Sequence, residues 1–124
     1  YAFNKGGEAH QTIEIGKTAP MADYKMKSTS GEDMSLETVA EGNGLLVIFS
    51  CNTCPFVIAW EDRYPELAEL SAEAKVGFAL INSNEAKRNG DDSMEEMISH
   101  AKNKGYKNVP YLVDNNSATV FSFK

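Results

Sequence analysis

Cys51 and Cys54 are the only cysteines in the chain, and two residues, Asn52 and Thr53, separate them. A thiol becomes a nucleophile when it loses its proton. Two thiols at this spacing can act in turn, because one attacks a partner disulfide and the other resolves the mixed disulfide that results. The spacing therefore predicts dithiol–disulfide exchange at this pair. It needs no metal and no cofactor beyond the redox-active disulfide itself.

The two cysteines follow a continuous apolar run at residues 45–49, which is typical of a buried strand in a parallel sheet. Apolar residues then recur at helical spacing over residues 54–74. The thiols are thus expected where a strand ends and a helix begins, beside unpaired backbone N–H groups that favour a thiolate. On this geometry we expect Cys51 to be the more exposed thiol and to attack. Cys54, inside the helix, would resolve.

Packing and zinc binding are the other interpretations of this pair. A structural disulfide here would add little stability, because a loop of two residues constrains the unfolded chain weakly. Two ordinary buried cysteines would be poorly placed for packing at the end of a strand. His10 and His100 are the only histidines, and neither has metal-ligand spacing to the cysteines. We therefore interpret the pair as chemical rather than structural.

The predicted elements follow the order hairpin, strand, helix, strand, helix, strand, which indicates one α/β domain over residues 1–124 with right-handed crossovers. Pro65 should kink the helix that follows the cysteines. The remaining expectations are an irregular arm over 1–15 with an edge strand at 12–15, a half-buried strand at 22–27, a hairpin at 28–33, a helical turn at 36–40, a strand at 76–81, a polar surface loop at 82–92 with a helical turn at 85–88, a helix from Ser93 to Gly105, and strands at 109–113 and 119–123.

Composition restricts the class of protein. Apolar residues make up 42% of the chain, which is enough for one core, and the net charge is −6. An acidic surface argues against nucleic acid or an anionic membrane as the main partner. No apolar stretch approaches the roughly 18 residues that cross a bilayer. The start at Tyr1 favours an exported, periplasmic protein whose leader has been removed, with a trimmed cytoplasmic protein as the alternative.

Several segments between residues 14 and 114 resemble the thioredoxin-like superfamily, and within it the redoxin branch of peroxiredoxin-like and thiol-disulfide interchange proteins. The segment 49–57 looks like the active-site segment of a bacterial group with the pattern C-N-x-C-P. The other matching segments are 16–20 followed by Tyr24, Gly31 with 34–36, 79–84 and 110–114.

This resemblance implies a thioredoxin-like fold, with a central mixed sheet, flanking helices and an N-terminal β-hairpin. It implies a thiol-disulfide oxidoreductase that acts on protein thiols and disulfides and exchanges electrons with a further redox partner. Pro55 and Pro110 are candidate supporting residues, Pro110 as the cis-proline that faces the cysteines in such folds. In the redoxin branch that proline comes later, so the alternative is that the C-terminal part of the domain lies outside this sequence.

The sequence also departs from the family patterns. Thioredoxins have an aromatic residue before the first cysteine and Gly-Pro between the two, where this chain has Ser50 and Asn52-Thr53. Redox potential and the direction of electron flow therefore do not transfer from the family.

Two alternative functions follow from the same resemblance. Cys54 and Pro55 align with the peroxidatic Cys-Pro of peroxiredoxins, which suggests an antioxidant thiol peroxidase that attacks peroxide with Cys54. In that alternative Cys51 takes the place of a hydroxyl residue, and the anion-stabilising arginine must be Arg63 or Arg88. The other alternative is a Cu(I) module that joins the two thiolates to His100. Its C-x-x-C spacing is one residue shorter than the copper-handling pattern.

For side chains outside the cysteine segment we expect ordinary packing or surface roles. Trp60 should pack in the core, with a partner-docking surface as the alternative. The remaining expectations are solvated charges at Glu61, Asp62 and Arg63 rather than proton transfer from the resolving thiol, surface positions for His10 and His100, and core positions for Met94 and Met97.

Overall fold

A computed structural model describes residues 13–123 of the chain. A short antiparallel hairpin pairs β1 (Met26–Lys27) with β2 (Asp33–Met34). The central sheet has three parallel strands in the order β3 (Leu45–Ser50), β4 (Gly77–Asn82) and β5 (Tyr111–Val113). An isolated antiparallel bridge between Ser28 and Leu112 connects the hairpin to β5.

Within the described residues 13–123, five helices flank these strands. None of them, within residues 13–123, is long and apolar enough to cross a membrane. The helices are α1 (Leu36–Val39), α2 (Pro55–Trp60), α3 (Tyr64–Glu73), α4 (Met94–Asn103) and α5 (Ala118–Ser122), with 3₁₀ turns at Glu61–Arg63, Glu85–Lys87 and Asn115–Ser117.

The register of the sheet determines where the cysteines lie. Ser50, Asn82 and Val113 are paired across β3, β4 and β5, so the three strands end level at one edge. In parallel sheets the loops at the carboxyl edge commonly carry the binding or catalytic groups. Cys51 directly follows Ser50 and therefore lies at this edge.

The core lies on both faces of the sheet, because successive side chains of a strand point to opposite faces. Leu80 faces α3 and α4, together with the fully buried Met97. Its neighbour Ile81 faces α1 and the hairpin. The core position expected for Met97 is confirmed, and Met94 is half-buried against the same cluster.

The helix expected over residues 54–74 is instead two helices. A 3₁₀ turn at Glu61–Arg63 separates α2 from α3, and Pro65 lies in the first turn of α3. A proline in a helix provides no N–H for the carbonyl four residues earlier, and its ring collides with that carbonyl. For Pro65 this is the carbonyl of Glu61. Pro65 therefore breaks the α-helix one turn before itself, where we expected only a kink.

The C-terminal segment differs from the expected strand at 119–123, because it forms the helix α5. The buried Asp114 carboxylate accepts hydrogen bonds from the backbone N–H groups of Thr119 at 2.8 Å and Val120 at 3.0 Å. Such contacts pair N–H groups that the first turn of a helix otherwise leaves without partners. Asp114 thus stabilises a helix that the apolar pattern does not indicate.

The N-terminal expectations are only partly confirmed. Residues 13–15 form no strand, and Thr12 and the rest of the arm lie outside the described residues. The strand expected at 22–27 is reduced to Met26–Lys27. The hairpin, the helical turns near 36–40 and 85–88, and the helix between Ser93 and Gly105 are confirmed.

Candidate dithiol site

The two cysteines occupy different positions at the junction of β3 and α2. Cys51 lies in the loop after β3, whereas Cys54 is the N-terminal cap of α2. We had expected Cys54 inside the helix. Pro55 is the first residue of α2, a position where its missing N–H removes no helical hydrogen bond. Both thiols are free and half-buried.

The helix start stabilises the thiolate form of Cys54. The backbone N–H groups of Val57 and Phe56, at the open start of α2, lower the pKa of Cys54, and the neighbouring Cys51 thiol lowers it further. The two thiols therefore interact with each other, as thiol exchange within the pair requires.

The surroundings of Cys51 favour its protonated form. Burial raises the pKa of Cys51, and the negative charges of Asp92 and Cys54 raise it further. Backbone N–H groups of Cys54 and Thr53 offset only part of this effect. This ordering is opposite to our expectation that Cys51 attacks, because the first free N–H groups of the helix point to Cys54.

A buried carboxylate holds the loop between the cysteines in place. Asp92 is fully buried, and its Oδ1 accepts a 2.8 Å hydrogen bond from the backbone N–H of Asn52. The Asn52 side chain donates a 2.7 Å hydrogen bond to the carbonyl of Asp91 and accepts one of 2.8 Å from the Tyr111 phenol. Burial raises the pKa of Tyr111, so its phenol stays protonated and serves as this donor.

Residues from the end of β4 and the loop after it complete the network. Asn82 and Asn84 each donate a side-chain hydrogen bond of 2.8 Å to the Asp92 carboxylate. The Arg88 guanidinium donates to the carbonyls of Asn82 at 2.9 Å and Asp92 at 2.8 Å. We had expected a polar surface loop over residues 82–92, yet Asn82 and Asp92 are fully buried.

One sequence signal could have revealed this network. Asn82 directly follows an apolar strand predicted to lie parallel to the strand before Cys51. The ends of parallel strands meet at one edge of a sheet, so a polar residue there can reach the cysteine loop. Asp92 gave no comparable signal, because its partners are distant in sequence.

Pro110 lies away from the cysteines. It directly precedes Tyr111, which is level with Leu80 and Ile48 in the sheet, so Pro110 is several residues from the edge that carries Cys51. Its peptide bond is trans, since the described residues contain no cis peptide bond. The expectation that Pro110 is the cis-proline facing the thiols is therefore wrong.

The surface next to Cys54 is apolar. Phe56 is 81% exposed and Trp60 is 59% exposed, which corrects the core position expected for Trp60. The Arg63 guanidinium lies 4.5 Å from the centre of the Trp60 ring. A shallow groove beside these rings is also lined by Ile48, Val57, Tyr64 and Leu67.

Glu61 is buried, although we expected a solvated charge. Its exposed fraction is 1%, and its carboxylate contacts His100 Nε2 at 2.7 Å and Lys104 Nζ at 3.1 Å. His100 is thus engaged with Glu61 and is not the surface residue we expected. No cluster of three or more His, Cys, Asp or Glu side chains suited to a metal occurs among residues 13–123, so the ligand set of the copper alternative is not assembled there.

Two solved bacterial structures with no stated activity are similar to the chain. An uncharacterized conserved protein from Geobacillus kaustophilus is 32% identical, with a TM-score of 0.77 over 89% of this chain and 57% of the other. A hypothetical protein from Sinorhizobium meliloti is 26% identical, with a TM-score of 0.79 over 91% of this chain and 60% of the other. The chain therefore spans less than two thirds of either protein.

Peroxiredoxin Q from Xanthomonas campestris is also similar in structure, with a TM-score of 0.62, 17% identity and coverage of 86% of this chain and 61% of the other. At this identity the likeness concerns the fold alone. Together with the parallel sheet, the flanking helices and the hairpin, it confirms the thioredoxin-like α/β fold. No protein-family model and no curated protein matches the chain.

Proposed function

We propose that the protein is a thiol-disulfide oxidoreductase that exchanges a dithiol for a disulfide at Cys51 and Cys54, with Cys54 as the attacking thiol. The observation that carries this proposal is the position of Cys54 at the start of α2, where the N–H groups of Val57 and Phe56 lower its pKa and the Cys51 thiol lowers it further. One thiol is thereby prepared to attack and the other is positioned to resolve.

The reaction with a partner disulfide has two steps. The Cys54 thiolate attacks one partner sulfur, so a mixed disulfide forms and the second partner sulfur leaves as a thiolate that takes up a proton. Cys51 then loses its proton and attacks the Cys54 sulfur, which releases the first partner sulfur. The partner gains two electrons, and Cys51 and Cys54 become a disulfide. A partner dithiol drives the same steps in reverse.

Protein disulfides are the substrates that the surroundings of Cys54 favour. Phe56 and Trp60 expose apolar rings on α2, the helix that Cys54 caps, and Thr53, directly before Cys54, is also exposed. A partner chain can therefore bring a disulfide to Cys54 while its apolar side chains contact these rings. A further redox partner would restore the starting state of the pair.

Trapping experiments test this proposal. The wild-type protein should accelerate insulin reduction by dithiothreitol and should form a Cys51–Cys54 disulfide on oxidation. Cys51→Ser should accumulate a mixed disulfide with insulin through Cys54, because the resolving thiol is missing, whereas Cys54→Ser should trap little. The proposal is wrong if the oxidised protein contains no intramolecular disulfide and the wild-type protein does not accelerate insulin reduction.

A thiol peroxidase that uses Cys54 is the second candidate. The Cys54-Pro55 pair and the lowered pKa of Cys54 favour it. The arginines do not, because Arg88 binds the carbonyls of Asn82 and Asp92 and Arg63 stacks on Trp60. Rapid hydrogen peroxide consumption that survives Cys51→Ser would favour the peroxidase over dithiol exchange.

A further inference from the structure

Asp92 is the only carboxylate among the described residues that hydrogen-bonds the backbone between the two cysteines. Its Oδ1 accepts from the Asn52 N–H and from the Asn82 side chain, each at 2.8 Å, and its Oδ2 accepts from the Asn84 side chain at 2.8 Å. A fully buried carboxylate is costly unless it is well hydrogen-bonded, and here three donors from two segments satisfy it. The arrangement fixes both the loop and a negative charge beside Cys51.

The charged and titratable groups around Cys51 come from several elements. Asp92 precedes α4, Cys54 begins α2 and the Tyr111 phenol belongs to β5. The Arg88 guanidinium contacts the Asp92 carbonyl and has no ion pair with its carboxylate among the described residues. The negative charge of Asp92 therefore acts on Cys51 without a cation bound directly to it.

We propose that Asp92 is a positioning residue that assigns the two cysteines their roles: through Asn52 it holds the loop with its own negative charge beside Cys51, so that Cys54 attacks and Cys51 resolves. This inference rests on the proposed dithiol exchange. Its physical basis is that a fixed negative charge disfavours a second one nearby, so the Asp92 carboxylate disfavours the thiolate of Cys51. Attack then begins at Cys54, the half-buried thiol at the start of α2.

Removal of the charge tests this assignment. In the Cys54→Ser background, Asp92→Asn should shift the pH midpoint for iodoacetamide alkylation of Cys51 downward by about one unit, which corresponds to an about tenfold larger thiolate fraction at neutral pH. Asp91→Asn is the matched control. Its side chain is 59% exposed and pairs with Lys87, and its backbone carbonyl, which binds Asn52, is retained. This control should leave the midpoint in place.

A second variant covers the case in which Asp92→Asn fails to fold. Asn84→Ala removes the donor that the half-buried Asn84 side chain provides to Oδ2 of Asp92, so the remaining negative charge should act more strongly and raise the Cys51 midpoint. Unchanged midpoints in Asn84→Ala, or in folded Asp92→Asn, would overturn the inference. Alkylation needs no partner disulfide, so these results are independent of whether the protein catalyses insulin reduction.

Discussion

The phenol of Tyr111 donates a 2.8 Å hydrogen bond to Oδ1 of Asn52, which lies between the two cysteines. Both side chains are buried, and the same phenol also accepts a 3.1 Å hydrogen bond from Asn82. The strand at the far side of the sheet thus contacts the dithiol loop directly. Tyr111 connects the stability of the core to the geometry of the thiols.

Tyr111→Phe should therefore lower the free energy of unfolding by about 1–3 kcal/mol, because Asn52 keeps a buried oxygen without its donor. Urea unfolding followed by circular dichroism measures this change. Tyr24→Phe is the control, since no hydrogen bond of the described residues involves the Tyr24 phenol, and it should change the stability by less than about 0.5 kcal/mol. Equal losses in the two variants would contradict a specific role for the Tyr111–Asn52 contact.

Glu61 provides a second test, because it joins the turn after α2 to α4 through His100 and Lys104. Glu61→Ala should lower the free energy of unfolding by about 2–3 kcal/mol, as expected for the loss of buried hydrogen bonds to charged groups. The neighbouring Asp62 also contacts Lys104, at 3.6 Å, but it is 84% exposed. Asp62→Ala should have almost no effect in the same urea titration, and a comparable loss there would argue against the buried contact as the cause.

The raised pKa of Tyr106 predicts how the free energy of unfolding changes at alkaline pH. Burial raises the pKa of Tyr106, and the nearby Glu61 carboxylate raises it further. Because the pKa of Tyr106 is higher in the folded than in the unfolded protein, its contribution to the free energy of unfolding is fully present below the unfolded-state pKa near 10. Above that pH the contribution is lost by about 1.4 kcal/mol per pH unit. Tyr106→Phe should therefore show a smaller loss of stability between pH 9 and pH 11 than the wild-type protein. Equal losses of stability in the wild-type protein and Tyr106→Phe, measured by urea titrations at these pH values, would contradict the prediction.

Much of the fold could be predicted from the sequence because its signals are local. The apolar runs that became β3 and β4, and the capping serine before α4, act on their own neighbours in the chain. The apolar pattern at 119–123 misled us because Asp114 caps that segment as a helix. That effect depends on a contact between a side chain and the backbone, which hydrophobic periodicity does not report.

The candidate site could be predicted only in part. The spacing of the cysteines and the strand before them indicated the pair. The position of Cys54 at the helix cap, and not inside the helix, depends on where Pro55 starts α2. The negative charge beside Cys51 comes from Asp92, a residue 41 positions later that reaches the loop through tertiary packing. The order of the two thiols is therefore a property of the folded chain.

The alkylation rates of the two single-cysteine variants, measured against pH, test the central claim most directly. Cys51→Ser retains a hydroxyl that can still donate to the Cys54 sulfur, and Cys54→Ser leaves Cys51 beside Asp92. We predict that Cys54 is alkylated with a midpoint below the ordinary thiol value of about 8.5, and Cys51 with a midpoint above it. The reverse order, with Cys51 the more acidic thiol, would contradict the assignment of Cys54 as the attacking residue.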